Sequence, residues 1–462
     1  MSDLNQIMNT AKQAILSHVT AINVTSGNIA NVNTPGYSRL RPVFGSRGVI
    51  GEGAVDVQLG VEISAIERIY DRYLETQIIQ QQQQLGESQV RSDMMGQVEE
   101  IFNESSVEGI NDLLSEFWNA WSDLSANPDG FEERDALVSA SQSLSQVFRE
   151  RSQELVDLRW DANDALASDI RDLNGYMGRM VELNDKIVEV EISGGTASDL
   201  RDKRFELLKT MSGLIGLDYY EASDGSLNVF LANGRSLVEG SHFWALDVVE
   251  NPANGNFYDV VFQDAPEIAI NDQIGAGEIG GLFGMRDDLI GGYLEDLDTL
   301  ARNLVTAVND RHQSGFDTYG NGGGVFFASG TGARDMAVDA RIAGDSGLIA
   351  AAATVNGDGG NAQEIGAIRD ALIMKGNTLT AASFYQSLVV RVGVDVRDAS
   401  RTLEHQTVIQ GQYETRMESL AGVSLDEEMM NLIRFQMGYN AAGKLCGVVN
   451  EMMDALINIG NS

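Results

Sequence analysis

Four histidines, one cysteine and one glycine-rich hexad are the groups in this 462-residue chain whose types could do chemistry. His18, His242, His312 and His405 stand far apart, and no HxxxH or HExxH spacing joins them. Zinc needs three or four converging nitrogen or sulfur ligands, so no metal site is expected. Cys446 is single, which excludes an intramolecular disulfide, and its place beside Leu445 suits a small buried hydrophobe. Gly275, Gly277 and Gly280 spell GxGxxG, followed by helical spacing and by Asp296 about sixteen residues later. That pattern cradles the pyrophosphate of a dinucleotide when it closes a strand–helix–strand unit. The stretch before it, Ile268 to Ile270, lies in a β-rich region without such alternation, so a flexible exit from that region is the expected role. Asp224, Asp317 and Asp358 lie near glycines without a calcium-loop pattern and read as turn formers. No cofactor and no catalytic activity are expected.

What the chain offers in place of reactive groups is helical surface. Met8, Ala11, Ile15, His18, Ile22, Thr25, Ile29 and Val32 alternate by three and four, the spacing of a heptad seam. At the other end Ala441, Leu445, Val448, Met452, Ala455 and Ile459 repeat the rhythm, preceded by Met430, Ile433 and Met437. The steps from Met430 to Ala441 add to eleven residues, which relaxes a left-handed supercoil and suits a nearly straight tube wall. An isolated helix of this length is marginal in water. Both ends are therefore expected to be mobile in a free subunit, and these two stripes to form an assembly interface.

The remaining elements follow from punctuation. The five prolines, Pro35, Pro42, Pro128, Pro252 and Pro266, leave long stretches free to stay helical. Between about residues 70 and 212 apolar positions recur at helical spacing: Leu74, Ile78, Gln81, Leu85, then Leu155, Leu158, Ala162, Ala165, then Leu173, Met177, Met180, Asn184, Ile187. One helix from roughly Glu132 to Ile192 would reach about 90 Å. The glutamines from Gln80 to Gln84 read as a solvated face of that region. From about 217 short β-branched and aromatic segments alternate with Asp-Gly, Asn-Gly and Asn-Pro turn signals, the texture of a small β domain. Helical rhythm returns at Leu294, Leu297, Ala301, Leu304 and Val308 and again from about Ala362 to Leu420. Residues 315 to 361, rich in Gly, Ala and Asp, read as surface loops. Asn33-Thr34-Pro35-Gly36 closes the first helix with a turn, and Ser424-Leu425-Asp426-Glu427 opens the last with a capping box. The expected fold is mainly α with a β module, an α+β chain whose terminal helices pair as a coiled coil. Its parts are 1–33 with 424–462 as the terminal pair, 34–214 with 281–423 as a discontinuous helical rod, 215–280 as an outer β domain, and 328–361 as a loop-like region.

Charge narrows the partners. Thirty-two basic against 68 acidic residues give a net charge of −36, which repels a phosphate backbone, so nucleic acid is not an expected partner. The first 50 residues carry four basic residues against Asp3, whereas 424–462 carry two basic and five acidic ones, so the two ends attract weakly. No run approaches the roughly 20 apolar residues of a membrane span. The N-terminus shows no cationic segment followed by an apolar block, so no cleavable secretory signal is visible.

Residues 28–38, NIANVNTPGYS, resemble the N-terminal signature of bacterial flagellar axial proteins, the family of rod, hook and hook-associated proteins, through Asn28, Ala30, Asn31, Thr34, Pro35, Gly36 and Tyr37. The tail from Gly422 to Ile459 is similar to their C-terminal signature through Glu427, Glu428, Asn431, Leu432, Ile433, Gln436, Tyr439 and Ala441. Three inner stretches resemble the hook-filament junction branch of the family: residues 117–137 through Trp121, Leu124, Asn127, Pro128 and Arg134; residues 281–327 through Arg286, Leu297, Leu300, Ala301, Asn309, His312, Gly315, Asp317, Phe326 and Phe327; and Phe384 to Val394. Larger members carry an additional outer domain after the equivalent of Phe327, where this chain has only about 35 residues. The resemblance implies a structural component polymerising with copies of itself between the hook protein and the second hook-filament junction protein. It further implies export through the flagellar type III apparatus, an export chaperone on the C-terminal helix, and an extracellular location on the flagellum. Another axial protein, of hook, distal rod or second junction type, is the nearest alternative, and a dinucleotide-binding enzyme a remote one.

Overall fold

The computed structural model describes residues 2–52, 55–58, 60–103, 109–328, 330, 332–355 and 357–460, with side chains left aside at 2–3, 49–52, 55–58 and 459–460. The chain leaves along helices, with a hairpin after the first, builds two further small sheets and returns along helices. Helix α1 (Ser2–Ala30) leads to strands β1 (Leu40–Ser46), β2 (Val49–Glu52), β3 (Val55–Gln58) and β4 (Val61–Arg68). Helices α2 (Arg72–Phe102), α3 (Ile110–Ala126), α4 (Phe131–Ile192) and α5 (Ser198–Leu214) follow. Seven short strands come next: β5 (Leu217–Glu221), β6 (Leu227–Leu231), β7 (Ser236–Glu239), β8 (His242–Phe243), β9 (Leu246–Asn251), β10 (Phe257–Phe262) and β11 (Ala265–Ala269). The return path is α6 (Gly277–Phe283), α7 (Ile290–His312), α8 (Ala340–Gly344), α9 (Gly360–Gly366), α10 (Ala381–Ala421) and α11 (Leu425–Gly460).

Helix α4 is the spine. Its 62 residues rise about 93 Å at 1.5 Å each, and α3, α5, α6, α7 and several strands pack along it. The buried row runs Leu155, Leu158, Ala162, Leu166, Ile170, Leu173, Met177, Met180, Asn184, Ile187, steps of three and four that keep one face inward. Ala165, expected in this row, is exposed, and Leu166 takes its place because the larger side chain fills the step. Helix α2 lies against α10, α5 and α6. The glutamine run is not a solvated face throughout. Gln81 is buried and its Nε2 donates to Gln406 O and Oε1 at 3.1 and 2.7 Å, while Gln83 donates to Leu217 O at 2.6 Å.

Strands β5–β8 form one antiparallel sheet in sequence order, and β9–β11 form another, ordered β11-β10-β9. Arg286 ties the second of them to the rod. It lies in the π-helical turn Gly284–Leu289 that joins α6 to α7, is 1% exposed, and donates to Tyr258 O at 2.8 Å and Asn163 Oδ1 at 2.9 Å. Asp287 carries the opposing charge, 2.8 Å from Nη2.

Three expectations fail here. Residues 40–68, grouped with the helical rod, form an antiparallel hairpin, in which β1 pairs with β4 with a bulge between Val43 and Phe44, and β2 pairs with β3. Residues 367–380 also leave the helix, because Lys375, Gly376 and Asn377 take three consecutive positive φ angles of 44°, 65° and 65°. Helix α10 begins only at Ala381, capped by Thr380 Oγ1 on Ser383 N. Residues 315–361 are sparse in regular structure yet far from superficial. Phe326, Phe327, Ala333, Ile349, Ala350 and Ala351 have no exposure. Asn309 fixes the two phenylalanines, accepting both their N–H groups on Oδ1 at 2.8 and 2.9 Å and donating to Phe327 O at 2.9 Å. Arg134 donates Nη1 to Ile349 O at 2.8 Å and Nη2 to Pro128 O at 2.7 Å. Aromatic contacts among Phe117, Trp121, His312, Phe326 and Phe327 replace the periodicity that would have revealed a core.

His312 sits at the centre of that packing as a neutral ring, Nδ1 2.8 Å from Gly324 O and Nε2 accepting Ala350 N–H at 2.9 Å. Burial holds its pKa down at about 4 from 6.5. An unfolded chain therefore takes up a proton between pH 6.5 and about 4 that the folded chain refuses. The contribution is present above pH 6.5 and is lost as the pH falls through this window, about 3 kcal/mol in all. Titration of the His312 ring by NMR should give a midpoint near 4, and a midpoint at 6.5 would contradict the packing described.

Candidate assembly interface

Helices α1 and α11 lie against each other, so the ends expected to be mobile in a free subunit are docked on one another here, and β1 and β4 also pack on α1. The paired face of α1 carries Ala11, His18 and Thr25 with Ala14, Ala21 and Asn28, two rows of seven-residue spacing; Ala11, Ala21, Thr25 and Asn28 are 1% exposed or less. Of the stripe expected on this helix, Ala11, His18 and Thr25 belong to the seam, while Met8, Ile15, Ile22, Ile29 and Val32 flank it half-buried.

On α11 the seam is a different row from the one expected to mark the helix's contact face. Glu428, Phe435, Ala442 and Val449, again seven apart, are buried, with Leu432, Cys446 and Met453 half-buried beside them. Close approach selects this face: a Cβ on Gly438 would overlap the His18 ring, so the glycine lets the imidazole lie directly on the α11 backbone. Phe44 of β1 and Phe435 of α11 flank that ring at centroid distances of 5.9 and 6.4 Å. Burial and the nearby Arg434 guanidinium both lower the His18 pKa, which keeps a charge out of the seam. Met430, Ile433, Met437, Ala441, Leu445, Val448, Met452 and Ala455 face outward instead, and the six largest are 41 to 64% exposed. The Ile459 side chain lies outside the described residues.

The two terminal signatures meet at the base of this pair. Asn28, 1% exposed, has all its polar valences used: Nδ2 donates to Leu40 O at 2.9 Å and Glu428 Oε2 at 3.0 Å, and Oδ1 accepts Tyr37 Oη–H at 2.9 Å and Leu40 N–H at 3.0 Å. Arg39 donates Nε to Glu428 Oε1 and Nη1 to Glu427 Oε2, each at 2.7 Å. Glu427, expected to cap α11 from inside, thus reaches across the chain to Arg39. The Thr34-Pro35-Gly36-Tyr37 turn closes with Tyr37 N–H on Thr34 O at 3.2 Å, and Gly36 takes φ +73°. Asn31 Nδ2 donates to Gly27 O at 2.9 Å and Thr34 Oγ1 to Asn31 Oδ1 at 3.2 Å, while Ala30 and Pro35 are exposed. On α11, Gln436 and Tyr439 face solvent and Leu432 is half-buried.

A second group of polar side chains ties this base to the rod. Asp202 on α5 accepts Ser38 N–H at 2.9 Å, Ser38 Oγ–H at 2.7 Å and Arg68 Nε–H at 2.5 Å, and Arg68 Nη2 donates to Glu75 on α2 at 2.8 Å. Burial raises the Glu75 pKa, and burial together with Asp202, Glu428 and Asp199 pushes the Tyr37 phenol up to about 12. Neither Arg68 nor Asp202 carried a signal in the sequence, since each is one charged residue among many and their partners lie far away along the chain.

The GxGxxG segment builds no phosphate cradle. Gly277 has φ +77°, and a Cβ there would stand 2.6 Å from Ile215 N, so the glycine serves a backbone crossing with α5. The helix it opens has seven residues, and all strand pairs among the described residues are antiparallel. Asp224, Asp317 and Asp358 accept N–H groups of Ser226, Asn321 and Gly360 in turns, at 3.0, 2.7 and 2.9 Å. His242 and His405 are exposed, and among the described residues no three His, Cys, Asp or Glu side chains converge as metal ligands.

Comparison with known proteins agrees with the resemblance. The profile of the flagellar hook-associated protein FlgK helical domain matches residues 95–327, half of the chain. Profiles of the flagella basal body rod protein and of the flagellar basal body rod FlgEFG protein C-terminal segment match residues 8–37 and 410–459, the two helices of the pair. Flagellar hook-associated protein 1 of Bacillus subtilis is 26% identical over 98% of this chain and 97% of its own length, and that of Escherichia coli 24% identical over 99% and 100%. The solved flagellar hook junction protein FlgK of Burkholderia pseudomallei has a similar fold, with a TM-score of 0.68 at 14% identity over 75% of this chain and all of its own. With rod helices, terminal pair and both signatures accounted for, the chain belongs to the flagellar hook-associated protein FlgK family.

Proposed function

We propose that this chain works by polymerising through the outward face of α11, in a fixed geometry set by the clasp at the base of the terminal pair. The chain is a structural component of the bacterial flagellar axis, at the junction between hook and filament, and so an extracellular part of the flagellum. The observation that carries the finer reading is the apolar row from Met430 to Met452, left uncovered beside a seam already filled by α1. Roughly half of each of six large side chains remains to be buried there, about 1 kcal/mol apiece when a neighbour covers it. Contacts repeated around a helical lattice use the same surface on every copy. The occupants are neighbouring copies along the tube, with hook protein below and the second junction protein above. The free chain travels through the flagellar type III apparatus without a cleavable signal, and an export chaperone shields the same α11 face beforehand. Catalysis has no part in this reading.

Deleting the gene tests the role. The mutant should bear hooks without filaments and release filament protein into the medium, and normal filaments on such cells would overturn the assignment.

A further inference from the structure

The described methionines range from fully buried to largely exposed. Met95, Met177, Met180, Met211 and Met374 have no exposure and fill the rod core. Among the described residues the exposed ones, Met429, Met430, Met437 and Met452, lie on α11 at 51 to 64% exposure, while Met8, Met417 and Met453 are half-buried. Met430, Met437 and Met452 belong to the outward row, beside Ile433, Leu445 and Val448. A thioether is unbranched and polarizable, which suits a face that must adapt to more than one neighbour. It is also the side chain of this row that an oxidant can change, since Ile, Leu and Val are inert to peroxide.

We propose that Met430, Met437 and Met452 form an oxidation-sensitive patch through which peroxides block assembly of the free subunit. The proposal rests on the reading of the outward row as the assembly face. A sulfur lone pair attacks one peroxide oxygen, the O–O bond breaks as the S–O bond forms, and the departing hydroxide takes up the proton released from the attacked oxygen as water. The sulfur loses two electrons and the peroxide gains them, so no further reagent is needed. The product is a polar sulfoxide where the polymer requires an apolar contact, and a buried acceptor without a donor opposes association. Exposure is the control: neighbours that cover the row protect the same sulfurs, so the sensitivity belongs to subunits not yet incorporated.

Peptide mapping by mass spectrometry after treating the full chain with hydrogen peroxide should show sulfoxide at Met430, Met437 and Met452 before any at Met95, Met177 or Met180. Oxidised subunits added to hooks of cells lacking the gene should fail to support filament growth, and methionine sulfoxide reductases should restore it. In the variant Met430→Leu/Met437→Leu/Met452→Leu, which keeps the row apolar, peroxide-treated and untreated subunits should assemble to the same extent, whatever that extent is. Equal oxidation of core and outward methionines, undiminished assembly of the oxidised wild type, or equal peroxide sensitivity of the triple variant would each overturn the proposal. A failure of the underlying reading would look different: an Ile433→Asp chain, which alters no methionine, would then assemble normally.

Discussion

A chain carrying Ile433→Asp and Met437→Asp should fold with unchanged stability and fail to assemble. Both side chains face water in the free subunit, at 51% and 61% exposure, where substitutions stay within about 0.5 kcal/mol. In a polymer that covers the row, each new carboxylate would be desolvated without a partner, at about 3 to 5 kcal/mol per site by analogy with broken buried pairs. At 1.4 kcal/mol per tenfold, one such site weakens a contact by at least about 100-fold. The two measurements must diverge, with an unshifted thermal midpoint for the monomer and absent incorporation at hooks. A lowered midpoint would mean that the row already serves the fold.

Arg39→Ala should undock the terminal pair while leaving the rod intact. The substitution strands Glu428, whose side chain is 2% exposed, with Asn28 as its remaining hydrogen-bond donor among those described. Removing one partner from a buried ion pair costs about 3 to 5 kcal/mol because the other charge stays behind. The loss is local, since α4 and its neighbours bury their own core. Amide exchange should accelerate through α1 and the first half of α11 and remain slow in α4. Replacing both partners, Arg39→Leu with Glu428→Leu, should recover most of the loss, because a matched apolar pair leaves no orphaned charge. An additive double variant would show that the clasp carries no coupling.

The long helices were legible because burial of one face imposes a period of three and four, and α4 keeps it from Leu155 to Ile187. The Thr34–Gly36 turn was legible because proline and glycine each fit one torsion pair. The hairpin at 40–68 was hidden by Pro42, Gly45, Gly48 and Gly51, which interrupt the alternation a strand normally shows. The packing of 315–361 was hidden because Phe326, Phe327 and His312 anchor irregular backbone without a period. The pairing of the terminal helices was half legible. Helix α11 carries two apolar rows, and the sequence draws attention to the one with more Met and Ile. The row that meets α1 includes a carboxylate, a single phenylalanine and an alanine. It is chosen by close approach at Gly438 and by the Arg39 and Asn28 partners of Glu428, none of which hydrophobicity reports.

Electron cryo-microscopy of the assembled hook-filament junction would show directly what lies on each face of α11. In that junction Met430, Ile433, Met437, Leu445, Val448 and Met452 should be covered by neighbouring copies while Glu428, Phe435, Ala442 and Val449 stay against α1 of their own chain. An assembled junction in which the outward row remained open to water, or in which α11 exchanged its α1 partner for that of another copy, would contradict the proposal.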